Sequence, residues 1–186
     1  MDLMWLNQKK LFLVACLGIF GLTACSSSGQ SGPLDFGNDE GTVDSRLCGP
    51  NALKSTDIFY GHTATNTSNS DLELVDLALI NPSNVAEETD LAMVIQEGKS
   101  DVFYFHFENP MDDEESNVAS LIDQMLPAQG FSIPANASVI FTVKANIQNV
   151  DLETSVSQME VQYKEGGKVF TERNSMSWAT QPSECN

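Results

Sequence analysis

Short runs of alternating apolar and polar residues follow one another from residue 58 to residue 173, with turn-forming residues between them. Runs of this length and period are typical of strands in an antiparallel β-sandwich. They lie at 58–64, 72–80, around 91–95, and at 101–108, 139–145, 155–163 and 168–173. The pattern therefore predicts an all-β antiparallel sandwich of about seven strands.

Two local signals refine the strand positions. In the run 72–80, the apolar phase switches between Leu74 and Val75, which predicts a β-bulge at that point. Leu91, Met93 and Ile95 alternate along the next run, so we expect them to share one face.

One helix is expected among these strands. Four apolar residues fall at helical spacing, and Pro127 and Gly130 follow them as stop signals. The four are Val118, Leu121, Ile122 and Met125. The spacing predicts a helix near 113–126 that lies across one end of the sandwich.

An acidic run precedes this helix. Asp112, Asp113 and Glu115 resemble part of a calcium loop, because Ca²⁺ is bound by several carboxylates from one flexible segment. The Asp-x-Asp-x-Asp-Gly spacing is missing, however. Asp112 with Glu115 three residues later also fits a capping box, and acids in a first turn suit the helix dipole. The capping interpretation is favoured, and no metal is predicted here.

The run 101–108 carries the main candidates for partner binding. Three phenylalanines share one face of this run, which leaves Tyr104 and His106 on the other. A catalytic role for His106 or His62 would require a nucleophile on a sharp turn, and the sequence contains no Gly-x-Ser-x-Gly motif. We therefore expect both histidines to be structural or binding residues, and we predict that the protein is not an enzyme.

Composition narrows the choice of partners. The 186-residue chain has 26 acidic and 9 basic residues, a formal net charge of −17. Nucleic acid is excluded as a partner, because binding a phosphate backbone needs clustered Lys and Arg. A strongly acidic domain is instead attracted to basic partners, although the charge also serves solubility alone.

The first 25 residues have the form of a secretion signal. Lys9 and Lys10 precede an apolar run at 11–22, which is followed by Leu22-Thr23-Ala24-Cys25. The run of about a dozen residues is too short to cross a bilayer core of roughly 30 Å, which takes about 20 residues. The ending resembles the lipobox of bacterial lipoproteins, in which the cysteine is acylated and becomes the N-terminus.

This resemblance implies that residues 1–24 are removed and that Cys25 carries lipid. Two or more acyl chains hold a protein stably on a membrane, whereas one gives only marginal binding. In Gram-negative lipoproteins, Asp after the acylated cysteine favours retention in the inner membrane. Ser26 stands at this position. The resemblance therefore implies a lipid anchor in the outer membrane of a Gram-negative bacterium.

Residues 26–46 are rich in Ser, Gly and Asp, so we predict that 25–46 form a lipidated flexible linker before a domain at 47–186. About 21 such residues have a mean reach of about 25 Å. With Cys16 lost and Cys25 lipidated, Cys48 and Cys185 remain, and a disulfide between them is the simplest prediction in an oxidising compartment. A metal site is the poorer alternative, because the two histidines lie at no ligand-like spacing. No cofactor is predicted.

An internal repeat supports the fold prediction. Residues 95–105 align without a gap with residues 133–143, and Gly98 and Asn136 occupy the same place. Both residues tolerate positive φ, as a tight turn between strands requires. The pattern resembles a turn found in immunoglobulin-like bacterial domains, and that resemblance implies an immunoglobulin-like sandwich.

Together these features predict an outer-membrane lipoprotein whose domain is a binding or accessory module for an envelope protein. Two alternatives stay open from the sequence. One is a hydrolase of envelope polymers, and the other is a purely structural envelope component.

Overall fold

The computed structural model describes residues 32–37, 45–50, 56–95, 105–107 and 117–182. Within them, thirteen strands and one helix form a β-sandwich of three hydrogen-bonded sheets, with six, three and four strands. We call the six-stranded sheet the first layer and the other two sheets together the second layer. The strands are β1 (Leu34–Asp35), β2 (Ser45–Pro50), β3 (Asp57–Asn66), β4 (Leu72–Ile80), β5 (Val85–Val94), β6 (Phe105–Phe107), β7 (Leu126–Pro127), β8 (Ser132–Ile133), β9 (Ser138–Ile147), β10 (Thr154–Val156), β11 (Gln158–Glu165), β12 (Lys168–Arg173) and β13 (Met176–Gln181), and the helix is α1 (Asn117–Ile122). The all-β prediction is confirmed, with more and shorter strands than the seven expected.

The first layer is a sheet in the order β1-β3-β9-β5-β7. β9 pairs with β3 along nearly its whole length, so β1 and β6 share the opposite edge of β3. β1 lies beside Thr65 and Asn66, whereas β6 lies beside residues 58–60. Both short strands therefore pair with the same edge of β3, at opposite ends of that strand.

The second layer is built on one long hairpin. Thr154 of β10 faces Thr180 of β13, and its hydroxyl lies 2.7 Å from the Thr180 hydroxyl. Glu160 of β11 faces Arg173 of β12. One arm of the hairpin is thus β10 followed by β11, and the other is β12 followed by β13. The pairing is irregular at Asn174, whose side chain accepts the Met159 N–H. β4 and β8 extend this layer on one side, and β2 pairs parallel to β13 on the other.

The predicted bulge in β4 is confirmed. Tyr163 pairs with Leu74 and Gln162 pairs with Asp76, which leaves Val75 as the additional residue. The extra residue turns Leu77 and the later apolar positions back to the core side.

The predicted left-handed turn residue Asn136 is also found, with a φ of 58°. This turn leads from β8 in the second layer to β9 in the first. The matching turn at Gly98 lies outside the described residues.

Helix α1 covers the outer face of the first layer. Phe59 and Ile140 point away from the main core and pack with Leu121 and Met125. The apolar residues that line this outer cluster include Leu91, Met93 and Ile95, so their predicted common face is confirmed. No described helix is long and apolar enough to cross a bilayer.

The helix prediction was wrong in two respects. The helix lies on the outer face of a sheet and not across an end of the sandwich. It also stops at Ile122, because Leu126 belongs to β7 and pairs with Ala92 of β5. Its predicted start at 113–116 lies outside the described residues.

The main core lies between the two layers, with Trp178, Tyr60, Tyr163 and Phe141 among its largest fully buried side chains. Leu34 also belongs to this core, with 3% of its surface exposed, and Phe36 is 9% exposed. Both lie in the segment 25–46 that the sequence predicts as a flexible linker. That interpretation is wrong for residues 33–37, because the Leu34 and Phe36 side chains are buried at the edge of the main core.

Candidate functional site

Most residues singled out from the sequence lie outside the described residues: Cys25, Tyr104, Asp112, Asp113, Glu115 and Cys185. Their predicted roles stay predictions. Cys48 lies in β2 and is disulfide-bonded. Its partner cysteine is not among the described residues, so the pairing with Cys185 also stays a prediction.

His106 lies in β6, where its backbone faces Phe59 across the edge of the first layer. The structure therefore places this candidate binding residue at a sheet edge, on the side that also carries β1. Among the described ranges, no group of three or more His, Cys, Asp or Glu residues is arranged to hold a metal ion.

The best-defined site on this edge is the segment Gly32–Gly37, which we name the strap. Its central residues Leu34 and Asp35 pair with Asn66 and Thr65 at the end of β3. The Pro33 carbonyl accepts two hydrogen bonds from Thr67, one from the backbone N–H at 2.8 Å and one from the hydroxyl at 2.7 Å. These bonds tie the strap to the first layer.

The strap is tied to the second layer as well. The Leu34 N–H donates to the Tyr163 hydroxyl of β11 at 3.2 Å. The Gly32 N–H donates to the Glu172 carboxylate of β12. Because β3 and β11 belong to opposite layers, the strap closes the open edge of the sandwich between them.

Gly32 is required where the strap crosses the second layer. A Cβ at this position would overlap the Tyr163 hydroxyl and come within 2.9 Å of the Phe170 ring. These two rings stack on each other with centroids 5.5 Å apart, and Tyr163 is fully buried. Any larger residue at position 32 would therefore push the strap away from β11 and β12.

The Tyr163 hydroxyl stays protonated at physiological pH. Burial raises the pKa of Tyr163 to about 12, the hydrogen bond from Leu34 offsets part of this rise, and the carboxylates of Glu172 and Glu165 add to it. A neutral hydroxyl can accept the Leu34 N–H without placing a charge in the core.

His62 packs beneath the strap on the core side. Its ring packs edge-on against Phe36 of the strap, with centroids 5.5 Å apart, and against Trp178 at 6.3 Å. Nδ1 lies 2.9 Å from the Thr63 carbonyl, which can only accept, so Nδ1 carries a hydrogen. Burial lowers the pKa of His62, and the Thr63 hydrogen bond opposes that shift. His62 is thus a neutral packing residue, as the sequence analysis expected.

An unusual carboxyl group lies on β5. Burial raises the pKa of Asp90 to about 6, with further increases from the nearby carboxylates of Glu87 and Asp76. Glu87 accepts the Leu79 N–H at 2.9 Å and so joins β5 to β4. The ionised form of Asp90 therefore destabilises the folded protein near neutral pH.

Sequence reasoning missed the strap because its two apolar side chains stand alone among Gly, Pro and Asp. An alternation of two residues, Leu34 and Phe36, is too short to distinguish a strand from a linker. The signal that could have found it is their common face at period two.

No protein-family model matches the sequence. No curated protein matches it. Among solved structures, the chain is similar to the ASH / PapD-like domain of human CEP192 (PapD-like domain 7), with 8% identity and a TM-score of 0.36 over 77% of this chain and 84% of that chain.

The chain is also similar to the secreted serine protease VesC from Vibrio cholerae, with 12% identity and a TM-score of 0.30. That similarity covers 73% of this chain and 21% of the protease chain. TM-scores this low carry no argument about activity or partners. The fold assignment rests on the strand order described above.

Proposed function

We propose that the protein is a lipid-anchored outer-membrane lipoprotein whose β-sandwich binds a protein partner in the envelope. The observation that supports this most is the position of the strap. Gly32, the first described residue of the strap, follows the lipobox Cys25 by seven residues. A lipid at Cys25 would thus be joined through a short tether to a segment that is built into both layers.

The partner surface in this proposal is the strap-side edge of the first layer, at β6. Tyr104 and His106 lie on that strand or directly before it in sequence. Edge strands present backbone donors and acceptors that a partner can pair with, and their side chains supply specificity. The net charge of −17 favours a partner that carries basic residues.

The anchor contributes to binding by concentrating the domain. A module held near a membrane meets partners of the same membrane at a raised effective concentration. An interaction that is weak in solution therefore becomes productive without a large interface. This role needs binding and no chemical step.

The binding role is tested by replacing Tyr104 and His106 together with alanine in the full-length protein and measuring recovery of cross-linked partners from cells. We expect reduced recovery with a nearly unchanged melting temperature. The control is Leu126→Ala, because Leu126 is 58% exposed on the opposite edge of the first layer. Equal recovery for the double variant and the wild type would contradict the proposed surface.

The main alternative is a hydrolase of envelope polymers. A turnover assay on peptidoglycan, lipid or ester substrates distinguishes the two functions. Activity that is abolished by His106→Ala would replace the binding proposal with an enzymatic one.

A further inference from the structure

The short tether between lipid and strap restricts how the domain can sit on a membrane. Gly32 is fixed against β12 through Glu172 and the Phe170 ring. Six residues lie between Gly32 and Cys25, which makes seven residue-to-residue steps, and each step spans at most about 3.6 Å. The acylated residue therefore lies within about 25 Å of the β12 edge.

The domain is wider than this tether is long. A compact domain of about 150 residues has a radius of gyration of about 15 Å and a diameter near 38 Å. The side of the sandwich opposite Gly32 therefore cannot touch a membrane that holds the lipid. A flexible chain of seven residues has a mean reach of only about 15 Å. On average, the edge where β12 meets the strap therefore lies nearer the lipid headgroups than the far edge does.

The surface at this edge suits a membrane better than the protein's average surface. The β11–β12 hairpin carries three of the nine basic residues, balanced by three acidic ones. The basic residues are Lys164, Lys168 and Arg173, and the acidic residues are Glu160, Glu165 and Glu172. A charge-balanced face is repelled less by anionic headgroups than the rest of a chain of net charge −17.

An exposed apolar side chain lies on the same strand. Val169 of β12 is 55% exposed, next to Phe170, against which Gly32 packs. Lys168 and Val169 are both exposed and, as consecutive strand residues, point to opposite faces of β12. The strand thus offers a cation on one face and an apolar side chain on the other, and the headgroup region accommodates both kinds of side chain.

We propose that the β12 edge, with Lys168 and Val169, faces the lipid surface, and that the β7 edge with Leu126 points away from it. This orientation rests on the proposed lipidation of Cys25. Four strand spacings separate β1 from β7 in the first layer, which is about 19 Å. This separation exceeds the tether's mean reach of about 15 Å, so the two edges differ on average in their distance from the membrane.

The experiment uses the full-length lipidated protein, purified from membranes and reconstituted in vesicles of phosphatidylethanolamine and phosphatidylglycerol. A donor dye is attached at Val169→Cys or, in a matched variant, at Leu126→Cys, and energy transfer is measured to an acceptor on the lipid headgroups. Both positions are exposed, and protein without an added cysteine gives the background. Thermal melting confirms that each variant is folded.

We expect stronger transfer from position 169 than from position 126. Inserting a Gly-Ser segment of about 20 residues after Ser26, with a mean reach of about 25 Å, should abolish this difference. Equal transfer, or stronger transfer from position 126, in vesicle-bound protein would overturn the orientation alone. Protein that carries no lipid on Cys25 and does not sediment with vesicles would overturn the anchor, and the orientation with it.

Discussion

The backbone N–H of Leu34 donates a hydrogen bond to the side-chain hydroxyl of Tyr163, although 129 residues separate them in sequence. This bond joins the N-terminal strap to the second layer, while Leu34 pairs with Asn66 in the first. The strap is therefore bonded to both layers of the sandwich.

The strap leads to a prediction at Gly32. Gly32→Ala should lower the free energy of unfolding by about 1–3 kcal/mol, because the new Cβ overlaps the Tyr163 hydroxyl and forces the strap outward. Urea unfolding of the domain measures this loss.

A double variant tests the mechanism. Tyr163→Phe removes the overlapping hydroxyl at the cost of its hydrogen bond to Leu34. In the presence of Tyr163→Phe, Gly32→Ala should destabilise the protein less than it does alone. Strictly additive effects would show that the overlap is not what Gly32 avoids.

Local patterns in the sequence predicted local features of the fold. The phase switch at Leu74 and Val75 located the bulge, because the alternation of side chains in a strand follows directly from the pleat. Asn136 marked a left-handed turn because few other residues accept that conformation.

Features that depend on distant pairing could not be predicted in this way. The parallel pairing of β2 with β13 joins residues near 45 and 176, and nothing in either segment encodes the other. The strap is missed for the same reason, since Leu34 is buried by β3 and β11 rather than by neighbours in sequence. The candidate surface at Tyr104 and His106 was predicted from alternation alone. His106 lies in β6 at the edge of the first layer, and Tyr104 lies outside the described residues.

Asp90 leads to a prediction about pH. Its pKa is raised from 3.8 to about 6, so the folded protein binds a proton that the unfolded chain releases. The charged Asp90 therefore lowers the free energy of unfolding. This loss is complete above about pH 6 and disappears as the pH falls toward 3.8. Asp90 is only partly buried, so solvent screening reduces the effect of the full pKa shift. Asp90→Asn should therefore raise the free energy of unfolding by on the order of 1 kcal/mol at pH 7.5.

The same substitution should have little effect near pH 4, where Asp90 is protonated in the fold. The matched control is Asp151→Asn, which removes one charge at an exposed position in the loop before β10. Thermal melting at both pH values checks the result. A gain from Asp90→Asn that is equal at the two pH values would contradict the role of its charge.

The cysteine pair leads to a further prediction. Cys48 is disulfide-bonded, and we expect Cys185 to be its partner. Without reduction, neither cysteine of the denatured mature protein should be alkylated, and a peptide linking 48 to 185 should appear on digestion. Cys185→Ser should leave Cys48 reactive and lower the melting temperature. Free alkylation of both residues in the unreduced protein would refute the pairing.

The central claim is that Cys25 carries the lipid that anchors the domain, and the mass of the mature N-terminus tests it most directly. Mass spectrometry of protein extracted from membranes should give a chain that begins at Cys25, with a diacylglyceryl thioether and an acylated amine. Cys25→Ser should give protein that is soluble without detergent. A mature N-terminus downstream of Cys25 without modification would contradict the claim.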